Sequence, residues 1–301
     1  MLEYIKGYLK ANDVEYKENY NLSKISHIRT GGKAKMLILP KNKPEFLHIL
    51  DFLRTCQQDY TVVGGMSNIL PCDKGYDGII IKTDRISKLS IDGGGVYAEC
   101  GKLFPSLSRT FIDAGLSGAE RLAGIPGTLG GMIAGNAGAF GCEISHLAVS
   151  IEAYDKNSGD VVVIDASDAD FSYRHSIFSD GGMIVLSAVL QLCEADSYDV
   201  YEETQRYRSR RRASQPYGLP SLGSIFKKPS ADVFVGKMIE DLGLKGLTVG
   251  GAQISEKHAG FIVNIGGAVS ADVVSLINTV LTVVYEKYGV MLELEIIPLG
   301  F

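Results

Sequence analysis

Leu122-Ala-Gly-Ile-Pro-Gly-Thr-Leu-Gly-Gly-Met-Ile-Ala-Gly-Asn-Ala-Gly-Ala-Phe-Gly141 decides how this chain is read. Glycine admits positive φ and lets main-chain N–H groups come close to a ligand. Successive exposed N–H groups form an anion-binding nest. A mobile linker would be polar and serine-rich, whereas this stretch carries Ile125, Leu129, Met132 and Phe140. A membrane span needs about 20 mostly apolar residues with few breakers. The stretch therefore reads as a packed loop that cradles phosphate.

Working outward, a second candidate loop lies upstream. The apolar run Tyr60 to Val63 reads as a strand that opens into Gly64-Gly65-Met66-Ser67-Asn68. Glycine turns after strands are common, so alone this signal is weak. Together the loops suggest one ligand with two phosphates, or a nucleotide cofactor gripped from both sides. No Gly-x-Gly-x-x-Gly follows the first strand and no GxxxxGK[ST] occurs, which disfavours a Rossmann unit and a P-loop. No HExxH and no carboxylate-rich loop is found, so no metal site is expected.

At 301 residues, 46% apolar and 22% charged, the chain has the composition of a globular protein of two or three domains. Its formal net charge of -5 and the lack of a long basic run disfavour nucleic acid as a partner. The five cysteines are scattered and without CxxC spacing, which disfavours a disulfide framework and zinc and suggests reduced thiols in a cytosol. The N-terminus lacks a signal-peptide apolar core, and no transmembrane segment is apparent. Cytoplasmic location is expected.

Periodicity predicts helices over 1–11, Pro44 to Cys56, Leu103 to Ala114, Tyr198 to Arg212, Val235 to Leu242 and Ser270 to Tyr288. The last is expected to turn Ala271, Val274, Ile277 and Leu281 inward. Strands are expected at Met36 to Leu39, Ile79 to Lys82, on either side of Asp92-Gly-Gly-Gly95, at Val149 to Tyr154, Val161 to Ile164, Met183 to Leu192 and Met291 to Ile297. Pro216, Gly218 and Pro220 suggest a domain boundary.

Several blocks in order and spacing carry a resemblance. They are Arg29-Thr-Gly-Gly, Gly64-Gly-Met-Ser-Asn-Ile-Leu, Leu122-Ala-Gly-Ile-Pro-Gly-Thr-Leu-Gly-Gly, Gly135-Asn-Ala-Gly-Ala-Phe-Gly, Tyr173-Arg-His-Ser-Ile-Phe, Gln215-Pro, Gly223-Ser-Ile-Phe-Lys, Ser255-Glu-Lys-His-Ala-Gly-Phe261 and Leu292-Glu-Leu-Glu295. From about Ile25 to Gly300 the chain resembles the UDP-N-acetylenolpyruvoylglucosamine reductase family, in its shorter branch without a tyrosine-bearing insertion. The resemblance implies an α+β fold: two FAD-binding domains of the vanillyl-alcohol-oxidase (PCMH) type plus a third α+β substrate domain. It implies residues 1–85 with 289–301 as the first FAD-binding domain, 86–216 as the second and 217–288 as the substrate domain.

The implied activity is NADPH-dependent reduction of the enolpyruvyl group of UDP-N-acetylglucosamine enolpyruvate to UDP-N-acetylmuramate in peptidoglycan synthesis. FAD is the implied non-covalent cofactor, NADPH the co-substrate, and a monomer the implied state. The cofactor contacts implied are Arg29 and Gly31, then Gly64, Gly65, Met66, Ser67 and Asn68. In the longer stretch they are Gly124, Ile125, Pro126, Gly127, Gly130, Gly131, Gly135, Asn136 and Gly138. Arg211, Gln215, Lys227 and His258 are the implied substrate contacts.

Hydride delivered to the enolpyruvyl β-carbon leaves charge on the α-carbon that spreads into the carboxylate. That chemistry needs a cation on the carboxylate, which a guanidinium supplies well. It needs a proton donor and a group that polarises the carboxylate. By the family's motif these are Arg174, Ser224 and Glu295. From spacing alone, Ser224 reads as turn chemistry after Gly223 and Glu295 as a protective edge-strand charge. His258 reads equally well as a structural hydrogen-bonder, and Asn136 as a residue that satisfies its own loop. Departures from the family pattern are Met66, Phe140, Lys228 and Ile297. The rival readings are an FAD-linked alcohol or lactone oxidase and a non-catalytic nucleotide-binding module.

Overall fold

A computed structural model describes residues 1–230 and 232–301. Helix α1 (Leu2–Ala11) buries Ile5 and Leu9. Helix α2 (Lys43–Thr55) starts where the Asn42 side chain accepts the Glu45 N–H, with Pro44 in its first turn. A proline there removes only an N–H that has no helical partner. Its buried residues Phe46, Ile49, Leu50 and Leu53 follow the 3.6-residue period. Helix α3 (Phe104–Asp113) buries Phe104, Leu107 and Phe111. The remaining helices are α4 (Leu129–Ala134), α5 (Ser197–Ser214), α6 (Val235–Asp241) and α7 (Ser270–Tyr288). Among the described residues no helix is long and apolar enough to cross a membrane.

The chain divides into two compact units. The first comprises 1–18, 36–65 and 78–209; the second comprises 19–35, 66–77 and 210–301. The first unit contains an antiparallel sheet in the order Val161–Asp165, Ala148–Asp155, Met183–Gln191, Gly95–Glu99, Leu89–Asp92. Its core joins Ile5, Phe46, Leu50 and Ile81 to Phe104, Phe111, Leu129 and Leu186. Strand Tyr60–Val63 runs parallel to Tyr76–Lys82, pairing Tyr60 with Ile79 and Val63 with Lys82. Glu152 and Ser187 are cross-strand partners. Lys43, at the start of α2, donates to Glu152 Oε2 at 2.6 Å, and Ser187 Oγ donates to the same oxygen at 2.5 Å. Burial works to raise the Glu152 pKa, but the Lys43 and Ser187 hydrogen bonds outweigh it and hold it below the ordinary value.

The second unit holds an antiparallel sheet ordered Ser221–Ser224, Phe261–Asn264, Ala252–Ile254, Thr248–Val249. Its core includes Ile28, Leu70, Leu222, Ile239, Ile262, Val273, Leu276 and Val280.

Three expectations are corrected. The inward residues of α7 are Ser270, Val273, Leu276, Ile277, Val280 and Val284. Ile277 faces inward as expected, whereas Ala271 is exposed and Val274 and Leu281 are only half-buried. Apolar pairs at 273–274, 276–277, 280–281 and 283–284 leave two stripes about one residue apart, so the period alone does not choose between them. Met291 to Ile297 is not a continuous strand: the closing strand is Ile297–Leu299, parallel to Ile69–Pro71. The glycine-rich stretch is not loop throughout, because α4 lies within it.

Candidate active site

In the first unit the two glycine stretches meet main chain to main chain. A Cβ on Gly64 would lie 2.1 Å from Thr128 Oγ1, and one on Gly65 would lie 3.4 Å from Gly127 Cα. Glycine is required at 64 because any side chain would collide there. Gly124 and Gly127 have φ of 84° and 140°, a region open to glycine and costly for other residues. Thr128 caps α4, accepting the Gly131 N–H at 3.4 Å. Several amides of the stretch are engaged by protein: Ile125 N–H by Leu122 O, Leu129 N–H by Lys102 O, and Gly130 N–H by Cys100 O. A Cβ on Gly130 would lie 2.9 Å from Cys100 Cβ, so this glycine lets α4 pack. Gly135 follows α4 as its C-cap, its N–H donating to Gly131 O. The stretch is thus a loop at 122–128 followed by a short helix.

Asn136 is buried, and its amide is used within its own neighbourhood. Nδ2 donates to Glu143 Oε2 and to Ser172 O, each at 2.9 Å, and Oδ1 accepts Ser145 N–H at 3.3 Å. These bonds tie Asn136 to the Ser145 backbone of its own loop, to the Glu143 carboxylate and to the loop at Ser172. Arg174 stands in the 171–178 loop, anchored by Ser176 Oγ donating to Ala134 O at 2.8 Å. Arg174 Nη2 donates to Gly138 O at 3.2 Å, and Nη1 lies 3.9 Å from Glu143 Oε1.

The second unit holds other residues expected at a site. Arg29 has φ 62° and its N–H donates to Ser26 O. A Cβ on Gly31 would lie 2.6 Å from Pro71 Cγ. His27 N–H donates to Met66 O at 3.3 Å, and Met66, at φ 49°, is buried. Ser67 follows it, half-buried. Asn68 Nδ2 donates to Glu295 O at 2.9 Å, and Ile297 N–H donates to Asn68 O at 2.9 Å.

Ser224 ends its strand after Gly223 at φ 79°. Glu295 N–H donates to Ile225 O at 2.8 Å, and Lys227 N–H donates to Glu293 O at 2.9 Å. The backbone thereby brings Ser224 and Glu295, distant in sequence, onto neighbouring segments of one unit. Lys227 Nζ lies 3.7 Å from Glu293 Oε2. Arg211 is buried, its Nη1 donating to Gln215 Oε1 at 3.2 Å, and burial moves its pKa below the ordinary arginine value. His258 is wedged against Gly236 and Gly260, where a Cβ would lie 3.2 and 3.1 Å from its Cε1. Burial holds its pKa down, and Nδ1 accepts Gly260 N–H at 3.2 Å.

Sequence reasoning missed Thr128 and Glu143. Thr128 is legible in hindsight as a cap before an apolar run. Glu143 carries no local signal.

The residues present fit a dinucleotide cofactor: Gly64 lets the two stretches pack where a side chain would meet Thr128, and Gly124 and Gly127 hold a positive-φ backbone that suits an anion-binding turn. Residues 34–165 match the family model described as FAD binding domain, which sets the chain among flavin-binding proteins. Residues 215–299 match UDP-N-acetylenolpyruvoylglucosamine reductase, C-terminal domain. The chain belongs to the UDP-N-acetylenolpyruvoylglucosamine reductase family. It is 42% identical over 295 residues to that reductase from Caldicellulosiruptor bescii, covering 97% of this chain and 93% of the relative. It is 38% identical to that of Latilactobacillus sakei, covering 100% and 99%. The crystal structure of UDP-N-acetylenolpyruvylglucosamine reductase from Thermus caldophilus superposes with a TM-score of 0.78 at 31% identity, covering 95% of this chain and 98% of that one.

Proposed function

We propose that this chain is a UDP-N-acetylenolpyruvoylglucosamine reductase of peptidoglycan synthesis, with NADPH as reductant and the enolpyruvyl sugar nucleotide as acceptor. The observation that carries the reading is the contact of Gly64-Gly65 with Gly127-Thr128, within a chain similar to the family over its whole length. When bound, FAD would supply the hydride chemistry that links NADPH to the β-carbon of the enolpyruvyl double bond. The Gly64 and Gly124 stretches would hold its pyrophosphate, with Arg29 and Gly31 as further contacts.

Arg174 holds the substrate carboxylate through charge-assisted hydrogen bonds that strengthen as negative charge grows there. Ser224 Oγ delivers the proton to the α-carbon. Glu295 polarises the carboxylate. Lys227, Arg211, Gln215 and His258 contact the substrate, Arg211 and Gln215 at its anionic groups. Three functional regions, 1–85 with 289–301, 86–216 and 217–288, divide this work in a monomer of the cytoplasm.

The test is anaerobic stopped-flow. The purified protein is expected to be yellow, to bleach with NADPH, and to regain colour with the enolpyruvyl sugar nucleotide. Recolouring by oxygen alone favours the oxidase, and no bleaching favours a binding module. Ser224→Ala and Glu295→Gln should each bleach normally and recolour at least about a hundred-fold more slowly. Wild-type recolouring in either variant removes that residue from the mechanism.

A further inference from the structure

In and around the Arg174 loop, four residues other than glycine hold left-handed backbone: Asn136 at φ 38°, Phe140 at 52°, Asp170 at 46° and Arg174 at 57°. Such backbone persists only where its surroundings over-determine it. At Phe140 a tight hairpin does so. Gly138 and Ala139 pair with Glu143 and Cys142, so Gly138 and Glu143 are direct cross-strand partners. Phe140 and Gly141 close the hairpin with both φ positive, at 52° and 77°, the turn whose twist suits paired strands. The Phe140 ring lies 5.2 Å from the Tyr207 ring. A Cβ on Gly138 would lie 2.7 Å from Glu143 Cγ, so glycine at 138 gives the Glu143 side chain room to lie across its partner.

Arg174 docks on this pair, with Nη2 on the Gly138 carbonyl at 3.2 Å and Nη1 3.9 Å from Glu143 Oε1. The other Glu143 oxygen accepts from Asn136 Nδ2 at 2.9 Å, and the same amide group donates to Ser172 O in the loop that carries Arg174. The geometry points to Glu143, locked by Asn136, as a positioning residue for the Arg174 guanidinium. This rests on the reading of Arg174 as the group that holds the substrate carboxylate. A guanidinium is a rigid fork, and paired recognition of a carboxylate requires its plane at one angle. The Gly138 carbonyl and the Glu143 carboxylate set that plane from one side. Glu143 also offsets part of the arginine's charge, so the resting anion is held less tightly than an unpaired guanidinium would hold it. Binding that is equal in ground and transition states does not raise kcat.

The experiment measures both half-reactions of the FAD-loaded protein, together with calorimetric binding of UDP-N-acetylmuramate to the oxidised form. Glu143→Gln keeps an acceptor for Asn136 and removes the charge. It should bleach with NADPH at the wild-type rate, recolour about ten- to a hundred-fold more slowly, and bind the product as tightly as wild type or tighter. Glu143→Asp restores the charge at shorter reach and should recolour at an intermediate rate, which reads the same carboxylate a second time. In an Arg174→Ala background, Glu143→Gln should slow recolouring no further. Wild-type recolouring in both Glu143 variants, with Arg174→Ala slow, overturns the inference and leaves the reading of Arg174 standing. Wild-type recolouring in Arg174→Ala overturns both. A double variant slower than Arg174→Ala also overturns it, since Glu143 would then act by another route.

Discussion

A methyl group on Gly64 would sit 2.1 Å from Thr128 Oγ1 and 3.1 Å from Thr128 Cβ and Cγ2, with Gly64 at the end of a strand and Thr128 at the cap of α4. Gly64→Ala is therefore expected to force the two glycine stretches apart, at about 1–3 kcal/mol, and to lower the flavin bound per protein on purification. Adding Thr128→Gly removes the colliding hydroxyl, and the pair should recover much of the loss in a double-mutant cycle. Equal flavin content in wild type and Gly64→Ala counts against the contact. The same scale explains what the residues alone left open. His258 and Asn136 each carried two readings, because residue type does not say where a polar side chain's hydrogen bonds go. The packing of Gly236 and Gly260 around His258, and the three bonds of the Asn136 amide, are set by partners up to 36 positions away.

At the scale of elements, α7 shows how a distant residue fixes a helix. Asp73 accepts the N–H groups of Ser270 at 2.7 Å and Ala271 at 3.0 Å, while Ser270 Oγ accepts the Asp73 N–H at 2.9 Å. Asp73→Ala should destabilise the protein by about 1–2 kcal/mol, seen as a lower urea midpoint with an unchanged m-value. A midpoint equal to wild type would show that the cap contributes nothing. This cap sits at the start of a helix whose apolar pairs are ambiguous by one residue, and it is invisible locally because 197 positions separate the partners. Helix α4 was hidden for another reason. Glycine is disfavoured in helices by about 1 kcal/mol each, and the Thr128 cap, the burial of Leu129, Met132 and Ile133, and the fit of Gly130 against Cys100 favour the turn. The helices with a single apolar stripe and a clear stop, α2 and α3, were legible from spacing because one solution buries the stripe.

At the scale of the whole molecule, the chain enters the second unit three times, at 19–35, 66–77 and 210–301. The core of that unit takes Ile28 and Leu70 from the two earlier visits. Its Asn264 side chain donates to Ile28 O at 2.9 Å, and its closing strand Ile297–Leu299 pairs with Ile69–Pro71. Residues 210–301 expressed alone should therefore lack a cooperative thermal transition, whereas the full chain has one. A sharp transition in the isolated segment would refute this dependence on the earlier passages.

By itself the sequence determined the glycine-dense stretch, the stripes of the simpler helices and the ordered blocks that point to a flavin reductase. These are local features, carried by residue type and short spacing. Only the tertiary structure decided that Gly64 meets Thr128, that Ser224 and Glu295 lie on neighbouring segments, and that Glu143 faces Gly138 beneath Arg174. Those pairings depend on which surfaces bury one another, and no short window of residues contains Gly64 with Thr128, Ser224 with Glu295, or Glu143 with Arg174.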